Sequence, residues 1–465
     1  MLNRILLLPA LFIGKLAMFL SRKMGVGGGS SAPGRIALKL CPGLIARLSS
    51  CFSGGVLIVT ATNGKTTTTR MIAAGLQAAG LSVVYNISGA NMEGGIATAL
   101  IEAASLRGYI DAEWGLFEID EGSFPKVAPQ LSPRAILIGN FFRDQLDRYG
   151  EVSILINKVH SALRALPSPP KLLLNADDPM VTSLGTGWTG SISWFGIHDP
   201  AYGFKGLQED ADIRNCPLCQ APLSYRVAYV GHLGSYACRS CGFKRPEPDY
   251  RAEKIQLNKL DSQRFVIRHK KTAHHFSIGI PGEHIVYNLL GAASMLDAVC
   301  GVNVASLPAT YSSFRPPYGR FEILNISGTK VYLVLIKNPA GANVILRLIK
   351  RVNFTGPFLF LLNDLSADGR DISWIYDAGF EAVAGLKKGV ISGRRAAEMQ
   401  LRLILAGCSK KALTIQASID EAFESALALG GPKKPLFILS TYTAMHEVRR
   451  AMAARADLVE FWKEQ

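Results

Sequence analysis

Residues 60–67, which read TATNGKTT, combine residue types that bind phosphate. An apolar run typical of a buried strand, residues 56–60, leads into this segment, and the sequence after it predicts a helix. Backbone N–H groups at a helix start point toward a bound anion, and the helix dipole adds to the attraction. Lys65 can reach the β- and γ-phosphates of a nucleotide, and the Thr66 hydroxyl can bind Mg²⁺. We therefore predict an ATP-binding loop formed by Thr62, Asn63, Gly64, Lys65, Thr66 and Thr67.

Four cysteines form two CxxC pairs separated by 18 residues, namely Cys216, Cys219, Cys238 and Cys241. Four thiolates at this spacing are typical of tetrahedral zinc. Because four cysteine ligands fill the coordination shell, we expect a structural zinc ion, with an iron–sulfur centre as the remote alternative. The other four cysteines are scattered, which favours a reducing compartment over a secreted disulfide framework.

A third polar stretch, residues 363–377, follows the apolar run of a predicted strand and contains four aspartates. Acidic residues at the carboxyl ends of strands are common site positions in α/β folds. Asp371 also suits a plainer role, since it could cap a helix that starts in ISWIYD. The residues alone leave both interpretations open.

The elements that must position these residues follow an α/β pattern. From about residue 55, short apolar strands alternate with helical stretches, which predicts a mostly parallel sheet covered on both faces. The pattern breaks around the cysteine pairs, and a helix-like run after FSIGIPGEH resumes the main domain. A Pro- and Gly-rich segment, RPPYGR, is the candidate domain boundary, and strands alternate with helices again beyond it. We predict a helical segment and linker at 1–50, a P-loop central domain at 51–314 with a zinc-ribbon insertion at about 205–250, and a smaller Rossmann-like α/β domain at 315–465.

Composition and charge narrow the class of protein. The chain has 465 residues, of which 48% are hydrophobic, and 51 Lys and Arg against 36 Asp and Glu give a net charge of +15. This composition excludes a collagen, a disordered low-complexity chain and a disulfide miniprotein. The absence of an apolar run of about 18 residues excludes a polytopic membrane protein. The positive charge favours acidic partners such as nucleotides, nucleic acid or anionic lipid head groups.

The amino terminus is apolar, but Pro9 and Lys15 interrupt it and no small-residue cleavage site follows. We favour a packed or surface-lying amphipathic helix at residues 1–20 over a cleaved signal or a membrane span. Peripheral contact with a membrane stays open. Residues 25–34 are rich in Gly and Ser and are predicted to form a flexible joint.

Six motifs in order along the chain resemble those of the Mur ligase family, ATP-dependent enzymes that join amines to carboxylates. They are ATNGKTTT at 61–68, FEID at 117–120, NFFRDQLDR at 140–148, LNADDP at 174–179, GEH at 282–284 with Asn288, and GRFE at 319–322. The resemblance implies a Mur ligase-like fold in which Glu118 binds Mg²⁺, Asn288 contacts adenine and Arg320 meets phosphate. Taken without the resemblance, Glu118 could form a surface ion pair, Asn288 could start a helix and Arg320 could be solvated. Likewise, Asp177 and Asp178 could simply initiate a turn.

Two departures from the family pattern are informative. Gln145 stands where the family has a metal-linked histidine, and LIKNPAG at 335–341 replaces the DYAHNP stretch of members that add an amino acid. Together with the cysteine pairs and ADGRDISWIYD at 367–377, this narrows the resemblance to the MurT branch of the family.

The MurT branch implies a ligase subunit that forms a heterodimer with a GatD-like glutaminase, the source of ammonia from glutamine. Its substrate would be lipid II, whose D-glutamate α-carboxyl is amidated to D-isoglutamine through an acyl phosphate, with ATP, Mg²⁺ and Zn²⁺ as cofactors. Lys65 and Glu118 would serve this reaction, and Asp371 would complete the partner's Cys–His pair as the third member of a triad.

Such a subunit is expected in the cytoplasm, at the inner face of the membrane. The alternatives are a Mur- or folylpolyglutamate-type ligase that adds an amino acid, a zinc-ribbon ATPase that binds nucleic acid, and a noncatalytic scaffold. We expect no nucleic-acid partner.

Overall fold

The computed structural model describes residues 6–23, 31–87, 89–143, 152–208, 211–316 and 319–453. Its strands in chain order are β1 (Gly55–Thr60), β2 (Val83–Tyr85), β3 (Trp114–Glu118), β4 (Ala135–Ile138), β5 (Lys171–Asn175), β6 (Ile192–Ile197), β7 (Phe204–Lys205), β8 (Leu223–Val230), β9 (Leu233–Cys238), β10 (Tyr250–Asn258), β11 (Ser262–His269), β12 (Thr272–Ile278), β13 (Arg320–Ile326), β14 (Thr329–Leu335), β15 (Phe358–Leu361), β16 (Gly389–Ser392), β17 (Leu413–Ile415) and β18 (Leu436–Ser440).

The α-helices among these residues are α1 (Leu7–Lys23), α2 (Ala32–Leu40), α3 (Leu44–Ser49), α4 (Lys65–Ala78), α5 (Glu93–Ala103), α6 (Phe124–Leu131), α7 (Val152–Arg164), α8 (Pro179–Leu184), α9 (Glu283–Cys300), α10 (Leu307–Ser312), α11 (Pro339–Arg351), α12 (Trp374–Asp377), α13 (Ala396–Leu405), α14 (Ile419–Leu429) and α15 (Tyr442–Ala453). None of these helices is both long and apolar enough to cross a membrane.

Nine strands form the larger sheet, in the order β12-β11-β10-β6-β5-β4-β1-β3-β2. Neighbouring strands from β10 to β2 are parallel, whereas β10, β11 and β12 pair antiparallel at one edge. β1 lies between β3 and β4, at the point where the chain order reverses. Ligands of open α/β sheets bind beyond the carboxyl ends of strands at such a point, so the topology places the loop after β1 at the expected site.

Both faces of this sheet are buried. Leu57 and Val59 of β1 belong to an apolar cluster that includes α4 and α9, while Val56 and Ile58 belong to a second cluster on the other face. This alternation is the period of two that a strand requires. The second cluster also contains the inner faces of α1, α2 and α5, which pack on one another in that order. The mostly parallel sheet covered on both faces is therefore confirmed.

A second sheet is built by the carboxyl-terminal part of the chain, in the order β13-β14-β18-β15-β16-β17. Only the β13–β14 hairpin is antiparallel, and the other pairs are parallel. This is the smaller Rossmann-like unit that the sequence predicts. The predicted domain limits at 50, 314 and 465 stay a prediction.

The segment between β6 and β10 forms a separate three-stranded antiparallel sheet, β7-β8-β9. The Arg245 guanidinium anchors this inserted module through a buried ion pair with Asp177. Asp178 caps α8 by accepting the N–H groups of Met180 and Val181. The two aspartates of the LNADDP motif therefore have structural roles in the folded chain.

The amino-terminal region is helical, but the flexible joint predicted at residues 25–34 extends into a helix. α2 begins at Ala32, with Pro33 in its first turn, where the fixed φ of proline suits a helix. Residues 32–34 are therefore helical, and residues 24–30 lie outside the described residues.

Candidate active site

The loop after β1 presents backbone N–H groups at the start of a helix. Gly64, the N-cap of α4, has φ +92°, a left-handed conformation that glycine adopts without strain. Asn140 holds the loop, since its Oδ1 accepts the Asn63 N–H at 3.0 Å and its Nδ2 donates to the Asn63 carbonyl at 2.9 Å. The Thr62 hydroxyl oxygen accepts the N–H of Phe142 at 3.1 Å. The amides of the first turn of α4 thus face in a fixed direction, which suits an anion.

Lys65 places a buried cation among carboxylates. Its Nζ lies 2.7 Å from Oε2 of Glu121 in an ion pair in which both side chains are buried. Burial lowers the pKa of Lys65, but the negative charges of Glu121, Asp120 and Glu118 outweigh it, so the pKa lies above its ordinary value. Lys65 is therefore protonated at neutral pH. A triphosphate would compete with Glu121 for it.

Glu118, the last residue of β3, is buried beside Thr66 at 1% exposure, so it does not form a surface ion pair. Its carboxylate accepts a hydrogen bond from Asn91 Nδ2 at 3.2 Å and another from the Thr66 side chain. Burial raises the pKa of Glu118, and the charges of Lys65 and Arg320 oppose this shift. A carboxylate next to a hydroxyl offers the hard oxygen ligands that Mg²⁺ prefers.

A cleft lies beside the loop, lined by residues from both large sheets and from the helices next to them. Asn288 lines this cleft from within α9. It lies six residues after Gly282, the N-cap of the helix, so it does not start the helix. Its side chain is 6% exposed, and its Nδ2 has no hydrogen-bond partner among the described residues. An unsatisfied buried amide costs about 1–3 kcal/mol, so the site favours a ligand that offers an acceptor there. The apolar part of the wall is formed by Phe142, Val230, Leu233, Ile285, Phe321, Val334, Val344 and Ile345.

Arg320 enters the cleft from a strained turn at the start of β13. The residues on either side have positive φ, +71° at Gly319 and +70° at Phe321, and the pairing with β14 shifts register here. Left-handed backbone costs a bulky residue about 1–2 kcal/mol, which the complete burial of the Phe321 ring helps to offset. This bulge directs Arg320 into the cleft, where its charge acts on Glu118 and His284. Arg320 is therefore not a solvated surface charge.

The carboxyl-terminal unit also reaches the phosphate loop through α11. Asn338 caps this helix by accepting the Gly341 N–H at 2.8 Å, and its Nδ2 donates to Oδ1 of Asn63 at 3.3 Å. The positive end of the α11 dipole therefore lies at the phosphate loop. Lys337, just before the cap, lines the same cleft.

The four paired cysteines converge at the base of the inserted module. All four sulfur atoms lie within 4.8 Å of one another, with 3.6 Å between Cys216 and Cys241 and 3.5 Å between Cys219 and Cys238. Tetrahedral zinc with bonds near 2.3 Å requires sulfur separations of roughly 3.8 Å. A disulfide would instead bring two sulfurs to about 2 Å. The cluster therefore fits a tetrahedral metal ion such as zinc.

The hairpin that carries this cluster extends to the cleft. β9 ends at Cys238, while its first residue, Leu233, lines the cleft together with Val230 of β8. His232 at the hairpin tip is fully buried and packs on Phe142, with ring centroids 4.6 Å apart. No motif in the sequence marks Val230, His232 or Leu233 as site residues, because only the folded hairpin connects the cysteines with the cleft.

Asp371 lies on the surface, in the loop after β15. The N–H of Ser373 donates to its Oδ1 at 2.8 Å and holds the pKa of Asp371 below its ordinary value, so the carboxylate is charged at neutral pH. The alternative in which Asp371 caps the next helix does not hold, since Ser373 is the N-cap of α12. Asp368 fixes the loop from inside by accepting the N–H of Thr443 at 2.7 Å.

The structure thus brings Lys65, Thr66 and Arg320 together around Glu118, beside the cleft. Of the predicted nucleotide-binding residues, Asn63, Gly64, Thr67, Asn288 and Arg320 line the cleft, whereas Thr62, Lys65 and Thr66 do not. Neither Asp371 nor the paired cysteines line this cleft. Residues 144–148, including Gln145, lie outside the described residues. Glu121 and Asn140 were missed as site residues, although both stand within or next to motifs that the sequence shows.

Comparison with known proteins identifies relatives along most of the chain. Residues 59–232 match the Mur ligase middle domain, and residues 335–445 match the MurT ligase C-terminal domain. The subunit MurT of lipid II isoglutaminyl synthase (glutamine-hydrolyzing) from Staphylococcus aureus strain COL is 33% identical over 85% of this chain and 87% of its own length. The protein of the same name from Streptococcus pneumoniae strain R6 is 33% identical over 92% of this chain and 94% of its own length.

Solved structures with the same fold are more distant in sequence. A pseudomurein peptide ligase type C from Methanothermus fervidus has a TM-score of 0.65 and 21% identity, over 86% of this chain and 78% of its own. The MurF ligase from Thermotoga maritima, solved in complex with ADP, has a TM-score of 0.63 and 14% identity, over 91% of this chain and 85% of its own. The Mur ligase-like fold that the motifs imply is therefore confirmed.

Proposed function

Because this chain belongs to the MurT subunits of lipid II isoglutaminyl synthase, a branch of the Mur ligase family, we propose that it is the ATP-dependent ligase subunit of such an enzyme. It amidates the α-carboxylate of D-glutamate in the stem peptide of lipid II, and the product is D-isoglutamine. The ammonia comes from glutamine, which a GatD-like glutaminase subunit hydrolyses within a heterodimer.

ATP binds in the cleft beside the phosphate loop. Its triphosphate lies at residues 62–67, and its adenine lies against Asn288 and the apolar wall. The unpartnered Nδ2 of Asn288 supports this placement, since it can donate a hydrogen bond to a ring nitrogen of adenine. The Gly64 backbone supports it too, because its left-handed φ of +92° precedes the helix and leaves the amides of the first turn facing an anion.

The residues at the end of the cleft stabilise the charge that moves during phosphoryl transfer. Lys65 exchanges its contact with Glu121 for the β- and γ-phosphates, and Arg320 faces the γ-phosphoryl group. Thr66 and Glu118 would hold Mg²⁺, which would supply neutralisation of the charge on the phosphates. Arg320 belongs to the carboxyl-terminal unit, so its contact with phosphate closes that unit over the nucleotide.

The reaction proceeds in two displacement steps. An oxygen of the substrate carboxylate attacks the γ-phosphorus, the bond to ADP breaks, and an acyl phosphate forms. Ammonia then attacks the acyl carbon, the carbon–oxygen bond to phosphate breaks, and the nitrogen loses a proton as the amide forms. Neither step needs a side-chain nucleophile, so the work of the chain is positioning and electrostatic stabilisation.

The residues at the N-terminus of α11 support ammonia, and not an amino acid, as the amine substrate. An incoming amino acid needs a binding group for its own carboxylate, whereas ammonia needs none. The segment that serves amino acids in other Mur ligases is here the cap of α11, in which Asn338 is already engaged by Gly341 and Asn63.

Asp371 acts on the partner subunit in this proposal. It orients the histidine of the glutaminase Cys–His pair and stabilises its charged form. The support is that Asp371 is exposed, ionised at neutral pH and held in place by Ser373. The zinc ion at the four cysteines is structural, and the chain works in the cytoplasm at the inner face of the membrane.

The observation that carries the proposal is the convergence of Lys65, Thr66, Glu118 and Arg320 from distant parts of the sequence. The test combines purified chain, its glutaminase, Mg²⁺, ATP, glutamine and lipid II, and follows ADP release together with the mass of the stem peptide. We expect D-isoglutamine and ADP in equal amounts. Lys65→Ala should abolish both, whereas Lys126→Ala, at an exposed ion pair with Glu93, should change neither. Amidation without ATP consumption, or transfer of an amino acid instead of ammonia, would refute the proposal.

A further inference from the structure

The outward side of α1 is apolar over most of its length. Its buried side, with Leu7, Leu11, Gly14 and Met18, packs on the protein. The opposite side carries Leu8, Phe12, Ile13, Leu16, Phe19 and Leu20, which are exposed and which we call the outer face of α1. Phe12 and Phe19 are 59% and 63% exposed. A helix that packs on a protein and meets water outside normally has a polar outer side, so this face indicates a second apolar environment.

Adjacent segments extend this surface. α2 packs against α1, with Ala37 next to Gly14, and exposes Ile36 and Leu40. The loop after α5 exposes Leu106 and Tyr109, and Gly108 between them contacts Leu7 and Leu11 of α1. The apolar surface therefore involves three neighbouring segments.

Positive charge surrounds this apolar surface. The first fifty residues contain seven Lys and Arg and no Asp or Glu. At the end of α1, Lys23 follows Arg22, which pairs with Glu102, and Arg35 and Lys39 lie one turn apart on the exposed part of α2. Apolar side chains bordered by cations match the layers of an anionic bilayer, in which hydrocarbon lies beneath negative head groups.

We propose that α1 and α2 dock the chain onto an anionic lipid bilayer, with α1 lying in the plane of the interface and the outer face of α1 inserted among the acyl chains. A protein partner fits this surface less well. Protein interfaces carry hydrogen-bonding groups between their apolar anchors, whereas the exposed residues of α1 from Leu8 to Leu20 are all apolar.

The docking surface is connected to the active site by direct packing. α2 packs on α5, and the Gly34 N–H donates to Oγ1 of Thr98 at 2.9 Å. α5 begins two residues after Asn91, whose side chain binds Glu118. The proposed function explains why the chain would bind a membrane, since its substrate is a lipid-linked stem peptide. The evidence for the docking surface itself does not rest on that function.

The test measures binding to vesicles apart from catalysis. Full-length chain in complex with its glutaminase is sedimented with phosphatidylcholine vesicles that contain or lack phosphatidylglycerol. The variant Phe12→Gln, Leu16→Gln, Phe19→Gln retains good helix formers and removes apolar area. We expect its partition coefficient to fall roughly 100-fold, given the area that two aromatic rings and a leucine bury.

A matched control replaces two leucines on another exposed helix. Leu401→Gln, Leu405→Gln in α13 changes side chains that are 50% and 64% exposed and should bind vesicles like the unchanged chain. Removing cations with Arg35→Gln, Lys39→Gln should weaken binding to the anionic vesicles roughly fivefold per charge and leave binding to neutral vesicles unchanged.

Three results would overturn the proposal. The first is that the unchanged complex does not bind vesicles, and the second is that the triple variant binds them as well as the unchanged complex does. The third is that the triple variant loses the glutaminase or changes its oligomeric state, which would assign the outer face of α1 to a protein contact. Turnover of a stem-peptide substrate without its lipid should stay unchanged in the triple variant. Failure of that turnover in all variants, with vesicle binding intact, would contradict the proposed function but not the docking surface.

Discussion

The two glycines at the ends of α4 allow the role of Asn288 to be tested by one pair of substitutions. Gly64 precedes the helix with φ +92°, and Gly80 follows it with φ +79°. In both Gly64→Ala and Gly80→Ala the new side chain must adopt a left-handed backbone, which costs about 1–2 kcal/mol. The two variants therefore share the same backbone penalty.

They differ in what the added Cβ meets. At Gly80 no described residue lies within 4 Å of the new Cβ, whereas at Gly64 the Cβ would clash with Oδ1 of Asn288. The Asn288 side chain must then shift, and the overpacking adds about 1–3 kcal/mol. Displacing a buried amide from its ligand loses about 1–3 kcal/mol of binding, which corresponds to a rise in the Kd for ATP of roughly fivefold to 150-fold.

Urea unfolding and calorimetric titration with a non-hydrolysable ATP analogue measure the two effects. We expect both variants to unfold at lower urea than the unchanged chain, and only Gly64→Ala to lose nucleotide affinity. Equal Kd values for Gly64→Ala and the unchanged chain would refute the placement of ATP against Asn288. Equal losses of affinity in both variants would show that the backbone strain, not the contact with Asn288, is responsible.

Three further predictions concern other parts of the chain. Asp371→Asn should abolish amidation driven by glutamine and retain amidation driven by ammonium, as measured by D-isoglutamine formation, and loss of both would contradict a role in the partner's triad. Cys216→Ser, or zinc chelation, should weaken nucleotide binding severalfold, because the hairpin held by the cysteines carries Leu233 into the cleft; an unchanged Kd in zinc-free, folded protein would contradict this. Burial and the charge of Arg320 lower the pKa of His284 from 6.5 to about 4, so the folded chain resists a proton that the unfolded chain accepts. The free energy of unfolding should therefore fall as pH drops from 6.5 to 4, by at most about 1.4 kcal/mol per unit from this residue, and His284→Gln should flatten the urea-measured curve; an unaltered slope would refute the assignment.

Local patterns predicted much of the fold because they depend on neighbours in the chain. The run before Lys65 is a buried strand since β-branched and aliphatic residues without polar breaks suit a strand covered on both faces. The CxxC pairs predicted a four-sulfur cluster from spacing alone, and the sulfur distances agree. Local patterns leave alternatives open where signals compete, as at Asp371, whose carboxylate accepts the N–H of Ser373 without capping the helix.

By itself, the sequence determined the phosphate loop, the cysteine cluster and the α/β class, since each is encoded within a short segment. Only the tertiary structure decided that Glu121 holds Lys65, that the Nδ2 of Asn288 has no hydrogen-bond partner among the described residues, and that a bulge with positive φ at Phe321 turns Arg320 into the cleft. The same holds for the outer face of α1, because a run of apolar residues does not reveal which side the rest of the protein covers. The physical reason is that burial, charge pairing and strain arise between residues far apart in the chain, and their energies exist only once the sheets and helices have packed.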